Sequence, residues 1–318
     1  MVLAQGIKRV LLLGLVVAVL QPVAAVADGF ATIPADSKPK RTTRSNHYVI
    51  SNEQRHYLFK DAIEDVGGVF VGVGSDQVYL MAGWARPKVL VPMDFDQFIV
   101  DLHDIYRLTF LHAGGPDDFL DLWKDKARVA TLIDENAPSA KHRATLQKVL
   151  EFGHKNIAWR LKRLKKQYAK LGVGTFLSDR SQYDFLVGLF KGGKVFPVRG
   201  DLTKSRTLIA IGAAAKAEGL HVGAIYLSNA EQYFNFLPQY RKNIASLPFG
   251  GRSVVLRTLP DGEKKYTYYV QSLRLFQDWL ERSKIKKVIS LLKVKERVPG
   301  SDGRLFHLVS DPPKRWLK

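Results

Sequence analysis

No cysteine occurs among the 318 residues. That excludes a disulfide-stapled scaffold, a thiol nucleophile and a cysteine-ligated zinc. Acids are scarce: 30 Asp and Glu stand against 49 Lys and Arg, a formal net charge of +19. With 25 glycines and 14 prolines the chain is not fibrous, and at 46% hydrophobic residues it is not disordered. Long apolar runs are rare. The run at 10–20 falls short of the ~20 residues that a membrane-spanning helix needs, and no later run is longer. The eight histidines are scattered without a His-Glu-x-x-His pattern, so no metal site is expected. There is also no Gly-x-Ser-x-Gly elbow and no Gly-Lys-Ser/Thr phosphate loop.

The amino terminus reads as an export signal. Lys8 and Arg9 precede the apolar run, Pro22 breaks it, and Ala25-Val26-Ala27 supplies small residues for cleavage. The expected mature chain starts at Asp28 and is periplasmic or secreted; the other reading is a short retained anchor. Cleavage removes two cations and no acid, leaving 47 cations against 30 acids, or +17. Such an excess attracts anionic lipid, acidic polysaccharide or nucleic acid, or serves solubility alone. Residues 28–47, rich in Pro, Ser, Thr, Lys and Arg, read as a flexible basic terminus.

From residue 48 the pattern is that of one α/β domain reaching 318. A helix over 52–65, with Ser51 or Asn52 as cap, leads to a β-branched strand at 69–74. A helix over 76–85, a strand at 88–93 and a helix over 97–112 follow, the last with Phe98, Leu102, Ile105 and Leu108 at helical spacing. Residues 114–191 carry helical patterns only and read as an insertion. Strands resume at 194–198, 222–228 and 252–257, with another at 266–270. The strands are almost continuously apolar, as parallel strands buried on both faces are. The expected fold is a doubly wound, mostly parallel, Rossmann-like sheet flanked by helices.

Three signals fall at the carboxyl ends of these strands, the edge where open α/β sheets bind ligands. Gly72-Val-Gly74-Ser-Asp-Gln77 makes a strand-to-helix turn, suited to a close-approaching ligand or to backbone geometry alone. Twenty residues after Gly74 stands Asp94, at the spacing of a ribose-binding acid, with Asp96 as a second candidate. Gln77 replaces a third glycine, which disfavours a dinucleotide pyrophosphate. Asp201 follows the next strand, and Asn229, Glu231 and Tyr233 the one after. Each also suits a helix cap or a loop.

The segments GGVFVGVGSDQVYLMAGWARPKVLVPMDFDQFIVDLHDIYRLTF, VFPVRGDLT and GAIYLSNAEQYF, with Ser51-Asn52-Glu53 ahead of them, resemble an uncharacterised bacterial family expected to have a class I S-adenosylmethionine methyltransferase-like fold. The resemblance covers roughly residues 48–258. It implies that Gly72 and Gly74 cradle the methionine part of S-adenosylmethionine, that Asp94 binds ribose and that Asp201 lies near adenine. Asn52, Glu53 and Gln77 join this cofactor-binding set. The loop from Asn229 through Glu231 to Tyr233 then faces the acceptor and holds the catalytic candidates. Phe70 stands two residues before the first glycine, where methyltransferases of this fold carry an acid.

A basic helix spans 154–170. Ile157, Leu161, Leu164 and Tyr168 form one face, while Lys155, Arg160, Lys162, Arg163, Lys165, Lys166 and Lys170 crowd the remainder. It reads either as an ordinary solvated helix over the core or as a surface for an anionic polymer or membrane.

Overall fold

The structure is a computed structural model and describes residues 28–39, 47–261, 265–282 and 284–308. The leader expected at 1–27 lies outside the described residues, as do 40–46 of the basic terminus. No helix among the described residues is long and apolar enough to cross a membrane.

Eight strands form one mixed, mostly parallel sheet: β1 Val69–Val73, β2 Val89–Asp94, β3 Val198–Arg199, β4 Val222–Tyr226, β5 Val254–Pro260, β6 Tyr266–Ser272, β7 Lys295–Arg297 and β8 Leu305–Leu308. Their order across the sheet is β3-β2-β1-β4-β5-β6-β8-β7. The first five pair in parallel, with Val71 opposite both Val91 and Ile225. β6 runs antiparallel to β5, β8 runs parallel to β6, and β7 closes the edge antiparallel to β8. Between β1 and β4 the chain order reverses, the point at whose carboxyl edge open α/β sheets form a ligand crevice.

Among the described residues twelve α-helices flank the sheet: α1 Asp28–Ala31, α2 Lys60–Ile63, α3 Asp76–Ala85, α4 Gln97–His112, α5 Pro116–Lys124, α6 Lys126–Asn136, α7 Ala140–Lys170, α8 Arg180–Lys191, α9 Thr207–Ala217, α10 Pro238–Ala245, α11 Leu273–Leu280 and α12 Val288–Leu291. Alternate strand residues enter two separate cores. Phe70, Leu90 and Tyr226 pack with α3, α4 and the helices of the insertion. Val69, Val71, Val91 and Ile225 pack with α1, α9, α10 and α11. A strand buried on both faces needs apolar residues along its length, and β1, β2 and β4 have them, save for Asp94 at the end of β2.

Three expectations change. The helix expected over 52–65 is a 3₁₀ turn at His56–Phe59 followed by the short α2, because Ser51–Arg55 are drawn across the sheet edge instead. The strand expected at 194–198 is cut to β3, with a lone bridge from Val195 to Leu90. The amino-terminal stretch 28–39, read as part of a flexible terminus, is packed. Phe30 is 1% exposed and stacks on Phe196 at 5.7 Å. The buried Asp36 carboxylate accepts from the amides of Asp201 and Arg206 at 3.0 and 3.1 Å.

This anchor is testable. Phe30→Ala removes a buried ring from the second core and is expected to cost about 3 kcal/mol in urea unfolding, with an unchanged far-UV spectrum. An unaltered midpoint would show that 28–39 contributes nothing to stability.

Candidate functional site

The glycine turn after β1 is already filled. Gly74 has φ +102°, and a Cβ there would lie 1.9 Å from the Gln77 amide nitrogen. Gln77 Nε2 donates to the Val73 carbonyl at 3.1 Å, while its Oε1 accepts from the Ser75 amide at 3.1 Å. A Cβ at Gly72 would come within 2.9 Å of Val78. Both glycines therefore make room for protein atoms. The Gly74 carbonyl faces His103 Nε2 at 2.9 Å, and Tyr79 Oη meets Nδ1 at 2.7 Å. The carbonyl fixes Nε2 as the protonated nitrogen, so Nδ1 accepts from the tyrosine. Burial pushes His103 down to about 4, which keeps it neutral.

A buried polar knot ties the segment 51–53 to the carboxyl ends of β4 and β5 and to the start of α3. The Glu53 carboxylate accepts from the hydroxyls of Ser51, Ser228 (2.5 Å) and Thr258 (2.7 Å). His56 Nε2 lies 3.8 Å from it and 3.2 Å from Tyr226 Oη. Burial opposes the Glu53 charge, but His56 and the three hydroxyls hold its pKa below the usual value. The hydroxyls carry that balance at neutral pH, because burial drives His56 itself down to about 4. Asp76, also buried, accepts from the Ser51 amide at 3.2 Å and from Arg160 Nε at 3.1 Å. Arg160 Nη2 donates to the Glu53 carbonyl at 2.8 Å. Arg160 is thus 2% exposed and part of the core, not of the solvated basic face.

The remaining expected residues divide. Asp94 ends β2 beside the glycine turn, and its Oδ1 accepts from the Asp96 amide at 2.9 Å. Burial raises its pKa to about 7, with the Asp96 carboxylate adding to the effect and the amides of Asp96 and Phe95 opposing it. Asp96 is committed elsewhere: it caps α4 through the Phe98 amide and pairs with His47 Nδ1 at 2.6 Å. Asp201 accepts from the amide and hydroxyl of Thr203 at 2.8 and 2.7 Å, so it closes its own loop. Glu231 is 1% exposed, accepting from Tyr240 Oη at 2.7 Å and Arg257 Nε at 2.5 Å. That ion pair lies among the residues of the second core, with the Arg257 guanidinium over the Phe276 ring. Asn229 is half-buried and makes no cap with its side chain. Tyr233 is 65% exposed.

Two features of the mouth escaped the sequence reading. Tyr266 hydrogen-bonds the exposed Asn52 side chain and senses both Tyr48 and Tyr233. Ser228, next to Asn229, has φ +52°, a left-handed conformation that few non-glycine residues adopt. Phe95 adds another exposed ring beside Asp94. Short polar segments ahead of a first strand carry no periodicity, so only the Ser51-Asn52-Glu53 resemblance hinted at this grouping. Among the described residues no cluster of three or more His, Asp or Glu is arranged to hold a metal ion.

The raised Asp94 pKa gives a signed prediction. The folded protein keeps this proton between pH 4 and pH 7, where the unfolded chain, at 3.8, has released it. Its contribution to stability therefore falls as pH rises through that window and stays low above it. Asp94→Asn should stabilise the protein by roughly 2–4 kcal/mol at pH 8 and by far less at pH 4. The opposite slope from His56 and His103 is common to both proteins and cancels. Urea midpoints of the two proteins at each pH test this; an equal difference at both would refute it.

Residues 48–304 match the model of a family described as a domain of unknown function, DUF7790. No curated protein matches the sequence. Because the family model takes in most of the chain, including every strand from β1 to β7, the protein belongs to the DUF7790 family.

Proposed function

We propose that this is an exported protein with a methyltransferase-like, doubly wound Rossmann-like fold, whose crevice at the carboxyl edge binds a nucleoside-type ligand such as S-adenosylmethionine. The observation that carries the reading is Asp94. A nearly buried carboxyl at the end of β2, poised near pH 7, can donate to or accept from a ribose hydroxyl as its proton comes and goes. It lies next to the point where strand order reverses, the place such sheets use for ligands.

The surrounding chemistry suits a flat polar ligand. Phe95, Tyr48 and Tyr233 offer exposed rings, and Asn52 and Asn229 offer amides able to read a base or sugar edge. The binding mode differs from the one the resemblance implies. With Gln77 filling the turn at Gly74 and Phe70 in place of an acid, the glycines do not cradle an amino-acid tail. The ligand rests instead on β2, β4 and the segment carrying Asn52. Glu53, Gly72, Gly74, Gln77 and Asp201 shape the crevice from behind. Glu231 is locked in its ion pair, so the reading assigns binding and no chemical step.

Calorimetric titration with S-adenosylmethionine, S-adenosylhomocysteine and adenosine tests it. Micromolar binding of at least one, weakened about tenfold or more by Asp94→Asn and varying between pH 6 and 8, is expected. Absence of binding by folded protein, or equal affinity in the variant, would sink the reading.

A further inference from the structure

Helix α7 presents a surface that the crevice does not use. Between Phe152 and Ser178 the chain contains no acidic residue. The apolar face of α7 (Ile157, Leu161, Leu164 and Tyr168) is buried in the first core, and Arg160 goes in with it. What remains outside is a stripe in which Phe152 and Trp159, 49% and 54% exposed, alternate with lysines and Arg163. Lys165 is held by Asp117, but among the described residues Lys162, Lys166 and Lys170 form no ion pair.

A groove of about 480 Å³ runs beside this stripe. Arg163, Lys166 and Lys170 form one wall, and Arg55 and Tyr57 the other. Its parts are set in place. Arg163 Nη2 donates to Gln54 Oε1 at 2.6 Å, and its guanidinium lies 5.0 Å from the centre of the Trp159 ring. Gln167 Nε2 donates to the Gln54 carbonyl at 2.8 Å. Asp302, the one acid among the described residues that line the groove, is 3.2 Å from Arg55. At 1.5 Å per residue, the cations from Lys155 to Lys170 extend over roughly 22 Å, with a charge at almost every turn.

A lipid surface fits poorly. An interfacial helix must place its apolar face in the acyl boundary, and here the protein core already holds that face. A row of cations beside a groove, with exposed rings between them, suits a flexible chain carrying one negative charge per unit and a flat ring to stack. We propose that this groove binds single-stranded polynucleotide. Arg55, Arg163, Lys166 and Lys170 follow the phosphates, and Trp159, backed by Arg163, takes a base.

The test is fluorescence anisotropy of a labelled single-stranded oligonucleotide with the full chain, from roughly 50 to 200 mM salt. Four phosphate contacts predict a log–log salt slope of about −3. Arg163→Ala/Lys166→Ala/Lys170→Ala should flatten the slope to about −1 and weaken binding more than tenfold. Trp159→Ala should weaken it about tenfold with the slope unchanged. All four side chains are exposed, so the variants should keep the parent's melting temperature, which circular dichroism checks. No binding at low salt would overturn the proposal, as would no effect of the triple variant. Polyphosphate competing equally per charge while Trp159→Ala binds normally would mark a plain charge patch and overturn it too. So would retention by anionic phosphatidylglycerol vesicles without binding of the oligonucleotide.

Discussion

The Arg160 guanidinium joins three stretches of chain that are far apart in sequence. It comes from the insertion, its ion-pair partner Asp76 opens α3 just after the glycine turn, and its second acceptor is the Glu53 carbonyl in the crossing segment. Removing such a charge from water is expensive, and burial works against it here, although Asp76, Tyr168 and Glu53 together outweigh that effect. The arrangement persists because Nε and Nη2 each have an acceptor. Removing Asp76 or Arg160 alone would leave the other as an uncompensated charge inside the first core. The consequence is positional. Once Arg160 holds the Glu53 backbone, the Glu53 side chain reaches Ser228 and Thr258 at the ends of β4 and β5. The insertion thereby fixes the segment that crosses the carboxyl edge, and with it the strained backbone of Ser228.

This explains which parts were legible in the sequence. Helix α4 shows a plain 3.6-residue period over its whole length, and it forms over the expected 97–112. Strands β1, β2 and β4 are apolar at nearly every position, so their existence and their burial on both faces could be read directly. The far edge could not. β7 is Lys-Glu-Arg and fully exposed, so as an edge strand it carries no apolar alternation and looks like a charge run. The anchor at 28–39 was hidden because its decisive contacts, Asp36 with Asp201 and Arg206, span more than 160 residues. Arg160 left one clue: it stands three residues after Ile157 and four before Leu164, on the flank of the apolar face.

The placement of the candidate site residues along the sheet was more legible than their roles. Composition and spacing bring Gly72, Gly74, Asp94, Asp201 and Asn229 to one edge, and the sheet does place them at the ends of β1 to β4. Roles depend on neighbours that only the fold supplies. A carboxylate with an arginine and a tyrosine, such as Glu231, is structural. A carboxylate with two hydroxyl donors from different strands and a third from its own segment, such as Glu53, is a tie. Asp94 differs from both, because the groups acting on it are backbone amides and another acid, with no cation to neutralise it.

That contrast bears on what the crevice can do. An ionised and fully paired acid offers a ligand little, since binding would have to break existing bonds. An acid whose proton is balanced near neutrality keeps the capacity to bond in either direction at small cost. The other buried carboxylates at this edge have partners, Asp76 in Arg160 and Glu53 in three hydroxyls, whereas among the described residues no cation pairs with Asp94. With the glycine turn closed by Gln77, the ligand proposed for this edge would make its contacts on β2 and the tyrosine-rich segment around Asn52 rather than on β1. On that reading recognition there depends on pH through one carboxyl, whereas binding along the cationic face of α7 depends on salt. The two surfaces therefore separate by their response to pH and salt.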